Sequence, residues 1–321
     1  MFWIDGHIDL AYIAIKGRDI YTAHPDPATA CITIPDLMQS PIRTFFGTIY
    51  TAPTNETHGY ADSANRNAAF NVGLAQLDIY NQLEVNGLLH KQHVGCAISD
   101  TLSMLLTMEG ADPIRNPEDV SWWKSQGLRS VGLTWSTGTR YAGGNSSLGP
   151  ITDEGRDLIA ALDESRIAHD ISHLSDEAVE TLFDISKGTI IASHSNSRSL
   201  LNTDSQRNLR DDHAIELLSR GGVIGLNLYT PFLAEEIVNK DCLATIDHCV
   251  EHIFHFCNLA GNNRQVALGS DFDGGFTPQY LPEGLKHPSK LHALAKALQN
   301  AGFSEEDLIS FSSGAWQRIF N

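Results

Sequence analysis

Short apolar runs rich in Val, Ile and Leu alternate along this chain with longer segments whose apolar positions recur every three to four residues. The first kind predicts buried parallel strands. They fall at Phe2–Asp9, Arg43–Thr51, Leu102–Met108, Leu128–Thr134, Ile167–Ser172, Thr189–Ser193, Gly222–Leu228 and Gln265–Gly269. The second kind predicts helices at Asp62–Val85, Thr152–Ser165, Asp176–Ser186, Asp211–Arg220, Leu243–Leu259 and Ser289–Ala301. The Thr-Asp-Glu start at Thr152 suits a helix N-terminus. Eight strands alternating with helices predict a (β/α)₈ TIM barrel, with residues 1–321 forming a single domain; a doubly wound open sheet is the alternative. No linker, low-complexity tract or fixed-period repeat interrupts the alternation. Two long loops are expected, Lys16–Ile34 and the Gly-, Asn- and Ser-rich Gly138–Pro150. In a barrel the second would lie at the catalytic face and could cover a substrate.

The strand ends carry the chemistry. Ile167–Ile171 and Thr189–Ala192 each run into Ser-His, which places His173 and His194 just past two neighbouring strands, 21 residues apart. A strand–helix–strand unit returns the chain to the same edge, so both imidazoles would face one spot. A lone histidine there is ordinarily a hydrogen-bonded structural residue; the repeated pattern argues for more. The first strand ends in His7-Ile8-Asp9, and residues two apart on a strand share a side. Glu109 follows an apolar run that would bury it, and a carboxylate at a barrel mouth wants a cation. His7, Asp9, Glu109, His173 and His194 therefore form a candidate metal set from four strand ends, suited to zinc or a similar divalent ion. Five ligands with one carboxylate able to bridge suit two metals, about 3.5–4 Å apart. The bland alternative is that His7 and Asp9 cap the barrel opening while Glu109 pairs with an arginine. Asp271, after the last strand, could take the proton from a metal-bound water and pass it to a leaving amine. Asp273 fits better as the cap of a turn with Gly274. Arg207 could grip a substrate carboxylate with two hydrogen bonds.

Composition adds boundaries. The formal net charge is −17, from 39 acidic and 22 basic residues, and repels nucleic acid and anionic membranes. The five cysteines (Cys31, Cys96, Cys242, Cys249 and Cys257) contain no Cys-x-x-Cys pair and predict buried thiols in a reducing compartment. No signal peptide, membrane-length apolar run or lipidation signal is visible, so a cytoplasmic location is expected.

The segments D-G-H-I-D-L, M-E-G, H-D-I-S-H-L-S-D, S-H-S-N-S-R, R-N-L-R-D-D, G-G-V-I-G-L-N and G-S-D-F-D-G occur in the order seen in the membrane (renal) dipeptidase family, the M19 metallopeptidases, which this chain resembles from Asp5 to Gly274 and beyond. The order and spacing are more specific than any one motif. The resemblance implies an amidohydrolase-type barrel with two Zn²⁺ ions. His7, Asp9 and Glu109 would hold one, Glu109, His173 and His194 the other, with Glu109 bridging. It also implies that Glu109 and Asp271 serve catalysis, that Arg207 meets the substrate carboxylate, and that a D-residue at the C-terminal position is tolerated or preferred. It extends to a small dipeptide as substrate and to a homodimer.

The chain departs from the family pattern twice. Trp135 stands in Leu133-Thr134-Trp135 where the best-known members carry a substrate-binding histidine, and an indole donates one hydrogen bond but carries no charge. The stretch from His194 to Arg207 is about two residues longer than usual. Arg198 and Arg140 thus stand beside Arg207 as candidates for the carboxylate. The function expected is a dipeptidase in which a bridging hydroxide between two metals attacks the peptide carbonyl. The alternatives are another amidohydrolase-type enzyme (lactonase, N-acyl amino acid amidase or deaminase) and a catalytically silent binding protein.

Overall fold

The computed structural model describes residues 1–54, 59–97, 100–201, 203–234 and 244–321. The elements in chain order are β1 (Trp3–Ile8), α1 (Leu10–Ile15), α2 (Ile34–Gln39), β2 (Ile42–Tyr50), α3 (Arg66–Val85), β3 (His90–Lys91), β4 (Ser103–Glu109), α4 (Asp119–Ser125), β5 (Leu128–Gly132) and α5 (Asp153–Ser165). They continue with β6 (Ala168–Asp170), α6 (Asp176–Ile185), β7 (Ile190–Ile191), α7 (Asp211–Ser219), β8 (Ile224–Leu226), α8 (Ile246–Ala260), β9 (Val266–Leu268), α9 (Leu291–Asn300), α10 (Glu305–Ile309) and α11 (Ala315–Phe320). The strands run parallel in the order β7-β6-β5-β4-β2-β1-β9-β8, with β3 beside the start of β4. A parallel bridge between Ala192 and Ile224 joins the two ends, with Gly225 N–H donating to Ala192 O at 2.8 Å. The expected barrel is therefore present, and the open sheet is not.

Each expected strand lies where the apolar runs placed it, though several are shorter. Thr189–Ser193 keeps Ile190–Ile191 in the ladder beside β6 and Ala192 in the bridge to Ile224, and the chain turns at Ser193. Helix starts follow their caps: the side chains of Thr152 and Ser175 accept from Gly155 N–H and Ala178 N–H, with acidic pairs in the first turns of α5 and α6. The Leu243 start expected for α8 lies outside the described residues.

The amphipathic C-terminal run Trp316–Phe320 lies in α11, and its pattern does not reveal where it docks. Trp316 enters the barrel from below, packs against Phe46 at 4.9 Å between rings, and donates from Nε1 to Leu268 O at 2.9 Å. With Ile4, Leu105, Ala168, Ile191 and Ala267 it forms an inner core separate from the one between sheet and helices. The barrel is thus plugged at the N-terminal ends of its strands and open only at their C-terminal ends.

Candidate metal centre

Backbone geometry sets the open end. Glu109 is the last residue of β4, and Gly110 follows with φ 88°; a Cβ there would lie 2.0 Å from Thr51 O. Only glycine lets the chain turn away directly after the carboxylate. His173 (φ 68°) and Asp271 (φ 60°) both occupy the left-handed region, which costs a non-glycine residue of order 1–3 kcal/mol. Side-chain clamps hold these turns. The Asp5 carboxylate accepts from His7 N–H at 3.2 Å and Ser270 N–H at 2.8 Å, joining β1 to β9. Asp170 does the same for Ser172 and Ser193, joining β6 to β7.

The five predicted ligands converge. His173 Nε2 and His194 Nε2 lie 3.1 and 3.3 Å from Glu109 Oε1, and 3.1 Å from each other. His7 Nε2 is 3.5 Å from Asp9 Oδ2 and 4.0 Å from both Glu109 Oε2 and Asp271 Oδ1. All six residues are buried. His173 Nδ1 meets Asn145 Oδ1 at 2.9 Å, an acceptor only, so Nδ1 carries the proton and Nε2 offers its lone pair. His194 Nδ1 meets Ser193 Oγ at 2.7 Å. Burial drives both histidines well below their ordinary pKa, assisted by Arg207 and His7, and keeps them neutral. The His173 lone pair and the buried Glu109 oxygen it faces repel unless a proton or a cation lies between them. Asp9 Oδ1 and Glu109 Oε1 have no hydrogen-bond donor. Donors around a tetrahedral ion at about 2.0–2.1 Å lie about 3.3 Å apart, close to the separations here. His7, Glu109 and His194 form one group able to hold an ion, and His7, Asp9 and Asp271 another. The donor set fits divalent metal.

The field inside the protein is anionic. Burial alone would depress His7, but Asp9 and Glu109 override it and hold the imidazole at about 10. Burial lifts Glu109 well above the carboxylate range against the attraction of His7. It likewise lifts Asp271 to about 7, opposed by His7. Asp271 Oδ2 accepts from Asn227 Nδ2 at 3.0 Å, leaving Oδ1 toward His7. Asn227 ends the G-L-N motif, but only its position opposite Asp271 gives it a role; Asn145 and Ser193 were similarly invisible as histidine partners.

A cavity of about 380 Å³ stands over these groups, lined by Tyr12, Lys16, Tyr50 and Trp135 on one side and Tyr229, Phe232 and Phe276 on the other. Trp135 therefore faces the cavity, 5.4 Å from the Tyr50 ring and 6.0 Å from His173. Arg207 is not among the lining residues. It lies buried with its guanidinium 4.8 Å from the Phe232 ring, donating to His194 O at 2.7 Å and Ser195 Oγ at 3.2 Å, while Nε has no acceptor. Arg198 is bound by Asp176 at 2.7 and 2.8 Å, and Arg140 by Asp112 at 3.1 Å. Both are held by structural partners, and neither lines the cavity. Two expectations change. No residue of Gly138–Pro150 lines the cavity; the loop is pinned beside His173 by Asn145 N–H to His173 O and Ser175 Oγ to Gly149 O. The Asp273 carboxylate is turned away from Gly274: it accepts from Arg18 at 2.5 Å and from Cys31 N–H and Ile32 N–H at 2.9 Å, tying the first long loop to the end of β9.

Comparison with known proteins identifies the family and the fold. The profile of a family described as membrane dipeptidase (peptidase family M19) matches residues 1–321. An uncharacterized dipeptidase of Schizosaccharomyces pombe is 29% identical over 224 residues, 68% of this chain and 53% of that protein. Dipeptidase aclJ of Aspergillus oryzae is 28% identical over 223 residues, 68% of this chain and 51% of its own length. The aligned regions thus span about half of these two relatives. A metallopeptidase from Rhodobacter sphaeroides, crystallised with a phosphinate mimic of the dipeptide L-Ala-D-Ala, superposes with TM-score 0.86 at 24% identity, covering 100% of this chain and 98% of that one.

Proposed function

The chain belongs to the membrane dipeptidase family, peptidase family M19, and on that premise we propose that it is a metal-dependent dipeptidase. The observation that carries the reading is the meeting of His7, Asp9, Glu109, His173 and His194 beside Asp271 on the floor of a cavity of about 380 Å³. In this reading His7, Asp9 and Glu109 hold one Zn²⁺ and Glu109, His173 and His194 a second. The ions supply Lewis-acid polarisation of the peptide carbonyl and make water acidic enough to attack near neutral pH. The chain's own groups do the rest. Asp271 takes the proton lost by the attacking water and delivers it to the peptide nitrogen as the C–N bond breaks. Asn227 fixes the carboxylate for that transfer. Arg207, expected to grip the substrate carboxylate, lies buried behind Phe232 outside the cavity lining; in this reading its charge acts on Glu109 and Asp271 instead. The closed lower end of the barrel and the small cavity favour two-residue substrates, with L,D as well as L,L pairs in the expected range.

The test is metal content and hydrolysis of a mixed L,L and L,D dipeptide panel on one preparation. Near two zinc per chain with turnover is expected. Asp271→Asn should keep the metal and lose about 10³-fold in kcat. Zinc near zero, not restored by added metal, would overturn the ligand set.

Trp135 supports a second reading, because an indole facing the cavity alters the pocket. Under it the same centre hydrolyses lactones or N-acyl amino acids. That reading fails if dipeptides turn over far more efficiently than either class.

A further inference from the structure

We propose that the cavity selects dipeptides carrying an aromatic side chain and that Trp135 sets this preference; the inference rests on the dipeptidase reading. Two stacks of rings rise from the floor of the cavity. On one side Tyr12 packs on Tyr50 at 4.6 Å between ring centres, and Tyr50 meets Trp135 edge to face at 5.4 Å. Trp135 carries that stack down to the cluster of ligands: its ring lies 6.0 Å from that of His173, whose Nε2 is 3.1 Å from Glu109 Oε1. On the other side Tyr229 packs on Phe232 at 4.8 Å and on Phe276 at 4.5 Å. This stack too is tied to the centre, because Tyr229 N–H donates to Asn227 Oδ1 at 2.7 Å and Asn227 Nδ2 holds Asp271 at 3.0 Å. A dipeptide whose peptide bond lies over the floor must place its side chains against these rings.

Six of the fifteen described lining residues are Tyr, Trp or Phe, and none of the fifteen is Val, Leu, Ile or Met. That composition matters, because aliphatic walls reward any apolar bulk by area alone, whereas ring faces and edges attract another ring beyond what burial gives. Trp135 is also held in place ahead of substrate. Its carbonyl accepts from Thr134 Oγ1 at 2.6 Å and from Gly138 N–H at 3.1 Å, and a Cβ at Gly144 would lie 2.2 Å from the same oxygen. The residue after Gly144, Asn145, holds His173 Nδ1 at 2.9 Å. The Gly138–Pro150 loop therefore fixes the backbone under the indole and the imidazole beside it together. An indole so anchored has only its two side-chain torsions left to order, so little freedom is lost when a substrate ring packs on it.

The experiment compares Phe-Ala with cyclohexylalanyl-Ala, and Ala-Phe with Ala-cyclohexylalanine, in the metal-loaded wild type. The saturated ring buries at least as much apolar surface as phenyl but lacks its negative face and positive edge, so a preference for Phe reports the aromatic walls and not burial. At one position or both, kcat/KM for the Phe member should exceed its partner about fivefold. Trp135→Leu, which keeps apolar bulk, should bring that ratio to about one, and Trp135→Phe should retain most of it. Zinc content is measured for each variant, and Trp135→Met, a flexible gap-filler, replaces Trp135→Leu if the latter loses its metal. A wild-type ratio of one at both positions, or a ratio unchanged in the variant without a ring, overturns the proposal while leaving the dipeptidase reading in place. Binding of the same four dipeptides to metal-loaded Asp271→Asn by calorimetry separates the two claims. Ring-selective binding without turnover in wild type refutes the reaction and keeps the wall; no binding of any dipeptide, with no turnover, refutes both.

Discussion

Gly269→Ala should dismantle the metal centre through a single backbone oxygen. A Cβ at Gly269 would lie 1.8 Å from Ser193 O, and one at Gly225 would lie 1.9 Å from the same atom. Gly269 has no positive φ, so alanine meets no backbone penalty and the effect is purely steric. An ordinary carbon–oxygen approach is about 3.3 Å, so about 1.5 Å must open. Ser193 is tied to its neighbours through the Ala192–Ile224 bridge and the Asp170 carboxylate, so the displacement passes to the adjoining His194, whose Cα lies 3.1 Å from the same added carbon. Metal ligands tolerate about 0.2 Å. The variant should lose metal bound through His194 and about 100-fold in kcat/KM, with stability lowered by about 1–3 kcal/mol. Metal analysis after gel filtration, kinetics and a thermal melt provide the readouts. Gly132→Ala is the control, because its added carbon would meet nothing nearer than 3.6 Å. Wild-type metal content and turnover in Gly269→Ala, or equal damage in Gly132→Ala, would refute the argument.

Further outcomes follow from the same geometry. Asn145→Ala removes the acceptor that fixes His173 Nδ1–H and should weaken metal binding about 10- to 100-fold, read by competition with a chelating dye. Asp273→Ala strands Arg18 and two buried amides and should cost about 3–5 kcal/mol in denaturant melts. For chelated protein, the His7 imidazole, with its folded pKa raised from 6.5 to about 10, contributes stability that is full below 6.5 and is lost as pH rises through 10. Its Tm should therefore decline from pH 7 to 10, as the unfolding free energy falls by at most about 1.4 kcal/mol per pH unit for one proton. Saturating zinc should flatten that decline, since the ion needs the deprotonated imidazole; parallel curves with and without metal would refute His7 as a ligand.

Much of this molecule was written in local sequence. Apolar runs such as Ile167–Ile171 announce buried strands because a parallel barrel strand is covered on both faces. Ser-His at two strand ends, His-Ile-Asp at a third and Met-Glu-Gly at a fourth point to one mouth, because parallel strands deliver all their C-terminal ends to the same side. Those rules fixed the fold class and the residues that gather at the centre. Local pattern could not say which donors orient them. Asn145 acts through His173 and Asn227 through Asp271, across 28 and 44 residues of chain. Nor could it find Trp316 as the barrel plug, since an amphipathic C-terminal run reads the same wherever it docks. Asp273, Arg207 and Lys16 likewise differ little in sequence context. Burial against Arg18 and two amides makes the first structural, burial behind Phe232 sets the second back from the cavity, and the face of α1 turns the third into it. Local sequence sets periodicity and turn chemistry over a few residues; only tertiary packing decides which distant polar groups lose water together and must satisfy one another.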